Sequence, residues 1–186
     1  MKFKATPISY RATSLFSGLV NDYLEAKGTA QSFVEYNATL DGYKKAIEQR
    51  ASFPTNRKVL VEVLQNQYTQ LAKDVNSLNN KEAFKLVNDN VSLLLKENTF
   101  TVTTAHQPNI FTGPLYFIYK ILHAIQLAET LKKEMPDKHF VPVYYMGSED
   151  ADLDELGQVT IDGKKYQWET QQKGAVGRMI IDKPFV

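Results

Sequence analysis

The chain has 186 residues, enough for one ordinary domain or one domain and part of another, and 43% hydrophobic beside 23% charged residues is the balance of a folded rather than a disordered polypeptide. With 22 basic and 21 acidic side chains the formal charge is +1, so the overall balance calls for neither nucleic acid nor an anionic membrane surface. The absence of cysteine excludes disulfides, thiolate metal sites and a cysteine nucleophile in this stretch; no window approaches the ~20 apolar residues of a spanning helix, and MKFKATPISY lacks the apolar core of a secretory leader, so the expectation is a soluble, cytoplasmic protein.

Taken in order, Pro7 ends a short extended beginning, and Ser9 or Thr13 can cap a helix with Leu15, Phe16, Leu19, Val20, Tyr23 and Leu24 on one face, stopping at Gly28. Leu40 to Glu48 reads as a weak helix interrupted early by Gly42, and Pro54 marks a boundary with Thr55 or Asn56 as the next cap. A clearer helical period runs from Arg57 to Leu78 through Leu60, Val63, Leu64, Gln67, Leu71 and Val75. Another fits Lys81 to Lys96 through Phe84, Val87, Val91, Leu94 and Leu95, with Asn79-Asn80 as the turn between the two, and helices joined so briefly pack antiparallel. Residues 1–98 are therefore expected to be a mainly helical region, and they carry no signal of a site.

The organising stretch is TVTTAHQPNIFTGPLYFIYKILHAIQLAETLKK, residues 101–133: a β-branched run, a polar loop and a long amphipathic helix in immediate succession. Thr112 or Gly113 is expected as N-cap, with Pro114 in the first helical turn, where its missing N–H costs nothing. Leu115, Ile118, Tyr119, Leu122, Ile125 and Ala128 form one apolar stripe, which is expected to pack on a sheet. After Pro136-Asp137, Phe140 to Met146 (FVPVYYM) is a second apolar run of the kind found in buried parallel strands. Strand, crossover helix and strand make one right-handed unit with its carboxyl ends side by side, which is where ligands bind in open α/β sheets.

The loop after the first strand holds His106 and Gln107; the loop after the second is GSEDADLDELG, with Glu149, Asp150, Asp152, Asp154 and Glu155 within seven residues. Taken alone, a strand-end His is more often a group that bonds a backbone carbonyl, but the company of Thr104, Gln107 and Thr112 shifts the balance toward ligand contact, and unpaired N–H groups at the helix start favour a phosphate or carboxylate. The acidic cluster suits an ammonium group, sugar hydroxyls, or Mg²⁺ held with a nucleotide phosphate, against the ordinary role of first-turn acids as solvated surface. If Ser148 caps a helical turn, Asp150 and Asp154 share a face and Glu149 and Asp152 another; Asp150 is the first choice, with Asp154 and Glu155 left to fold and surface. His123 and His139 lack ligand-like company, and Tyr116, Phe117 and Tyr119 read as core. Residues 158–170 read as a β-hairpin turning at Asp162-Gly163, and the closing GAVGRMIIDKPFV contains a strand-like run. Neither GxGxxG nor a Walker-type loop occurs, and two strands alone leave apolar faces uncovered, so an N-terminal piece of a longer protein is expected.

Two segments, AHQPNIFTGPLYFIYKILHAIQLAE and VPVYYMGSEDADLDEL, resemble the BshC family, the cysteine ligases of bacillithiol biosynthesis, whose pattern is a TG-[HQ]-Q loop, then FTGPLY-x-x-[YH]-K, then PVFW-x-x-x-EDHDFDE. The resemblance implies an α/β fold with a Rossmann-like parallel sheet beginning at about residue 99, incomplete in this chain, and similar to class I aminoacyl-tRNA synthetases. It implies addition of cysteine to the amine of glucosaminyl malate through an activated cysteine carboxyl. A nucleotide such as ATP would supply the activation, its identity being open, and no metal is assigned. It also implies a homodimer joined through a coiled coil lying mostly beyond Val186. Thr104, His106, Gln107, Thr112, Gly113 and Lys120 match the first motif, and Glu149, Asp150, Asp152 and Glu155 the second. Ala105 stands in place of Gly, Ala151 in place of a common His, and Tyr144-Tyr145 in place of Phe-Trp. On this reading His106, Gln107 and Asp150 are catalytic, and Thr104, Thr112, Gly113, Glu149 and Asp152 bind substrate. The alternatives are a nucleotidyltransferase-like enzyme of the same architecture acting on another small acceptor, and a noncatalytic assembly module.

Overall fold

The computed structural model describes residues 4–74, 81–109 and 112–182, and its contacts divide the chain into two compact units, residues 1–55 and 56–186. In the first unit a 3-10 turn at Arg11–Thr13 precedes α1, Gly18–Leu24, and a second 3-10 segment, Gly28–Phe33, precedes α2, Leu40–Ala51. Ser17, rather than Ser9 or Thr13, caps α1 by accepting the Val20 N–H at 3.4 Å, because Ser9 and Thr13 bond within the preceding turn. Gly42 does not interrupt α2. Thr39 caps the helix by accepting the Gly42 N–H at 3.1 Å, and the loop before the helix passes so close that a Cβ at position 42 would collide with the Asn37 carbonyl oxygen. Glycine is therefore selected by a close backbone approach.

In the second unit α3, Arg57–Asp74, starts at Asn56, whose side-chain oxygen accepts the Val59 N–H at 3.2 Å, and α4 spans Lys81–Leu93. The expected continuation of the first of these to Leu78 and the Asn79-Asn80 turn lie outside the described residues. The second ends three residues before Lys96, where its free carbonyls find other donors: Thr99 Oγ1 donates to Leu93 O at 2.6 Å and Arg57 donates to Leu94 O at 2.9 Å. Val61 and the pair Val91 and Leu94 meet Val141 in one buried cluster, with Leu64, Tyr68, Val87 and Val143 against it. The helices at 57–93 thus share a core with the sheet, and the helical region expected over 1–98 is divided between the two units.

That sheet has two parallel strands, β1 (Thr99–His106) and β2 (His139–Met146), in register from Thr99 opposite His139 to His106 opposite Met146. The crossover is α5, Leu115–Glu134. It packs on the sheet as expected, but rolled: Ala128 of the expected stripe is buried together with Ala124 and Leu131, whereas Leu115, Tyr119 and Leu122 of that stripe are 63%, 64% and 55% exposed. The helix is apolar on most of its circumference, so periodicity does not single out one face; small Ala124 and Ala128 allow a close approach to the strands, and the bulky residues turn outward. Pro114 itself is the N-cap, extended at φ −68° and ψ 150°, after two left-handed residues, Thr112 and Gly113.

Beyond β2 come a short α6, Leu153–Leu156, and the expected hairpin of β3, Gln158–Ile161, and β4, Lys164–Gln167. Asp162 and Gly163 both have positive φ, as a type I′ turn requires. Asp152, not Ser148, precedes α6, so the face-sharing expected of a longer acidic helix does not arise. The closing run forms no strand within its described part: the Gln172 side chain pairs with both the N–H and the carbonyl of Ile180, and Val176–Arg178 is a 3-10 turn. Among the described residues no helix is long and apolar enough to cross a membrane.

Candidate active site

Parallel register brings the carboxyl ends of β1 and β2 together, and the Gly147 N–H donates to His106 O at 3.0 Å where the strands stop. The two loops then join through side chains: Gln107 Nε2 donates to Asp150 Oδ2 at 3.0 Å. The other oxygen of Asp150 accepts the Asp152 N–H at 3.2 Å, an Asx turn that fixes the carboxylate. From below, the Tyr144 hydroxyl donates to His106 O at 3.0 Å, and burial raises the Tyr144 pKa above its ordinary value, keeping it a donor. His106 lies edge-on to Phe117, which in turn packs edge-on to Tyr144, with centroids 5.8 Å and 5.4 Å apart.

His106 is engaged at both ring nitrogens. Asn109 Nδ2 lies 2.8 Å and Gln107 O 3.2 Å from Nδ1, and the Tyr116 hydroxyl lies 2.7 Å from Nε2 and donates to Glu155 Oε1 at 3.0 Å. Tyr116 is therefore a site residue and not core, and Glu155 is tied to the site rather than left to the surface. Desolvation, then the bond to the Glu155 carboxylate, raises the Tyr116 pKa above its ordinary value. Nearby, Gly113, Pro114, Tyr116, Glu155, Gln158 and Thr160 line an open cleft of about 570 Å³.

The remaining acids diverge. Glu149 accepts the Tyr145 hydroxyl at 3.4 Å, Asp152 leads into α6 without a side-chain cap, and among the described residues no group of three or more His, Asp or Glu gathers as a metal site would require. Thr104 is half-buried and Thr112 exposed, and neither side chain joins the network around His106. Lys120 donates to Ala105 O at 2.8 Å, so the ammonium of the first motif is spent on holding α5 to the end of β1. The tail also reaches the site: the Val176 N–H donates to Asp150 O at 2.8 Å and the Gly177 N–H to Ser148 O at 3.0 Å, pinning the acidic loop from behind.

A model of the family described as bacillithiol biosynthesis BshC, N-terminal Rossmann-like domain, matches residues 1–185. The chain belongs to the BshC family. A relative from Flavobacterium psychrophilum named "Putative cysteine ligase BshC" is 42% identical over 92% of this chain, and one of the same name from Flavobacterium johnsoniae is 41% identical over 94%. One from Bacillus thuringiensis is 32% identical over 80%. The chain spans about a third of the length of the Flavobacterium relatives, 31% and 32%. In this BshC domain the two strand-end motifs meet through Gln107 and Asp150. Asn109 and the 176–177 backbone reach the site through loop closure, which spacing does not display, and Tyr116, expected as core, reaches it through the roll of α5. Only Tyr116 left a signal, its place in the first turn of the helix that follows the His106 loop.

Proposed function

We propose that this chain supplies the strand-end part of the active site of a cytoplasmic ligase that joins the carboxyl group of cysteine to the amine of glucosaminyl malate. The observation that carries the reading is the Gln107–Asp150 bond, which draws the two motifs of the family into one crevice beside His106. Membership of a family whose relatives are named as cysteine ligases supports the reaction class.

Amide formation from a carboxylate and an amine expels an oxygen, and an activating nucleotide such as ATP would carry it away on a phosphoryl group. The donors present fit such an anion: the His106 ring N–H and the Gln107 amide lie at the β1 end, and the first turn of α5 begins at Leu115, just past Gly113. His106 and Gln107 would orient the activated carboxyl, with Thr104, Thr112 and Gly113 lining its approach. Asp150, with Glu149 and Asp152, would hold the amine and hydroxyls of the sugar acceptor. Gln107, bonded to Asp150, would set the distance between the two reactants. A homodimer built through a coiled coil outside this chain belongs to the same proposal.

The test is amide formation by the full-length protein from cysteine and glucosaminyl malate, followed by mass spectrometry. Replacing His106 or Asp150 by Ala is expected to lower product formation at least ~100-fold with the circular dichroism spectrum retained. Product made at the wild-type rate by both variants would remove these residues from the mechanism. Activity with a different acceptor alone would favour the nucleotidyltransferase-like alternative.

A further inference from the structure

Of the hydrogen bonds around His106, those at Nε2 fix which nitrogen carries its proton, and the shorter of the two at Nδ1 agrees. On one side, Asn109 Nδ2 lies 2.9 Å from Gln107 O, an atom that can only accept, so this end of the Asn109 side chain is its NH₂ group. The opposite orientation would set two oxygens against each other. The second amide hydrogen then points at His106 Nδ1, 2.8 Å away; Gln107 O also lies 3.2 Å from Nδ1, but it already accepts from Asn109 at 2.9 Å, and a proton on Nδ1 would face the closer Asn109 donor. On the other side, the single hydroxyl hydrogen of Tyr116 goes to the Glu155 carboxylate at 3.0 Å. The phenol oxygen must therefore accept from His106 Nε2, at 2.7 Å. Read from Glu155, the proton lies on Nε2, and the closer contact at Nδ1 agrees with it.

The geometry points to Asn109, Tyr116 and Glu155 as positioning residues that hold His106 in its neutral Nε2–H form, so that the imidazole serves the site as a hydrogen-bond donor and not as a general base. The chain runs one way, Asn109 to His106 to Tyr116 to Glu155, each donating to the next. An anionic oxygen entering the crevice would take the Nε2–H in place of the Tyr116 hydroxyl, and Nδ1, already filled by Asn109, offers no lone pair to a substrate proton. The raised pKa of Tyr116 agrees with its keeping the hydroxyl hydrogen. The role for the ring rests on His106 belonging to the site proposed above; the tautomer does not.

Two-bond proton–nitrogen correlation spectra of the chain labelled with ¹⁵N histidine read the tautomer directly, with His106 assigned by loss of its signals in His106→Gln. For the neutral ring the expected pattern is a pyridine-like Nδ1 and a pyrrole-like Nε2. Asn109→Asp exchanges a donor for an acceptor and is expected to reverse the pattern. Tyr116→Phe and Glu155→Ala are expected to mix the two forms, while Glu155→Gln, whose side-chain oxygen still accepts, restores the wild-type spectrum. A pyrrole-like Nδ1 in the wild type overturns the proposal, as does an unchanged pattern in both Asn109→Asp and Tyr116→Phe. Full ligase activity in His106→Ala with the Nε2–H pattern present would leave the tautomer standing and sink the site; the reverse combination would sink the tautomer alone.

Discussion

At Gly113 one residue serves two purposes: it turns the chain into α5 with φ +58°, and it leaves room for Asn109, since an added Cβ would sit 2.6 Å from Asn109 Cγ. Gly113→Ala is expected to cost about 1–2 kcal/mol for the left-handed backbone alone, measurable by urea unfolding, and to disturb the His106 tautomer by displacing Asn109. A different titration belongs to His139, whose pKa is lowered from 6.5 by desolvation first, then by Lys132 and Lys96. The unfolded chain takes up a proton near that ordinary value while the folded chain resists it. Stability is therefore full above pH 6.5 and falls as the pH drops from there toward the depressed folded value. Urea midpoints on either side of pH 6.5 should differ less in His139→Gln than in wild type. The meeting of the loops that carry Gln107 and Asp150 was legible, because each loop follows one of two consecutive parallel strands. Tyr116 was not, because helical spacing places a residue on a helix without saying which way the helix is rolled.

Elements were legible where one signal governs them. The strands followed from β-branched and apolar runs, and the hairpin from Asp162-Gly163, whose positive φ values only a few residue types accept. The face of α5 was legible only at Ala128, because apolar side chains occur nearly all round the helix and its roll is set by Ala124 and Ala128 against the strands. Leu131→Ala is accordingly expected to cost about 2–4 kcal/mol, and Leu122→Gln on the exposed face no more than about 0.5 kcal/mol, by urea unfolding. The junction of α3 with the end of α4 and the start of β1 depends on one guanidinium: Arg57 donates to Leu94 O, Glu97 O and Thr99 O at 2.9, 3.3 and 3.1 Å. Arg57→Lys keeps the charge but not the fork. A loss of about 1–3 kcal/mol is expected, read as a lowered unfolding midpoint.

At the scale of the whole molecule, Pro54 is visible in the sequence only as a break between helices, whereas the change from helical to strand pattern near residue 99 is louder. Contacts across the chain, which spacing does not display, put α3 and α4 with the sheet in residues 56–186. Val61, Val91, Leu94 and Val141 all lie within that unit. Residues 56–186 alone are expected to keep the helical circular dichroism of α3 to α5 and a cooperative unfolding transition; a chain of that span without one would mean that the first 55 residues are needed for its folding.

The tail that pins the acidic loop bears on how substitutions among relatives are interpreted. A Cβ at position 177 would collide with Ser148, on the backbone that carries Asp150, and the Gly177 N–H goes to Ser148 O rather than to Gln107 or His106. Invariance at such a position would record a steric veto and not chemistry. A survey that ranks residues by constancy would set Gly177 beside Asp150, and the two would be told apart only by a side-chain swap that keeps the backbone where it is.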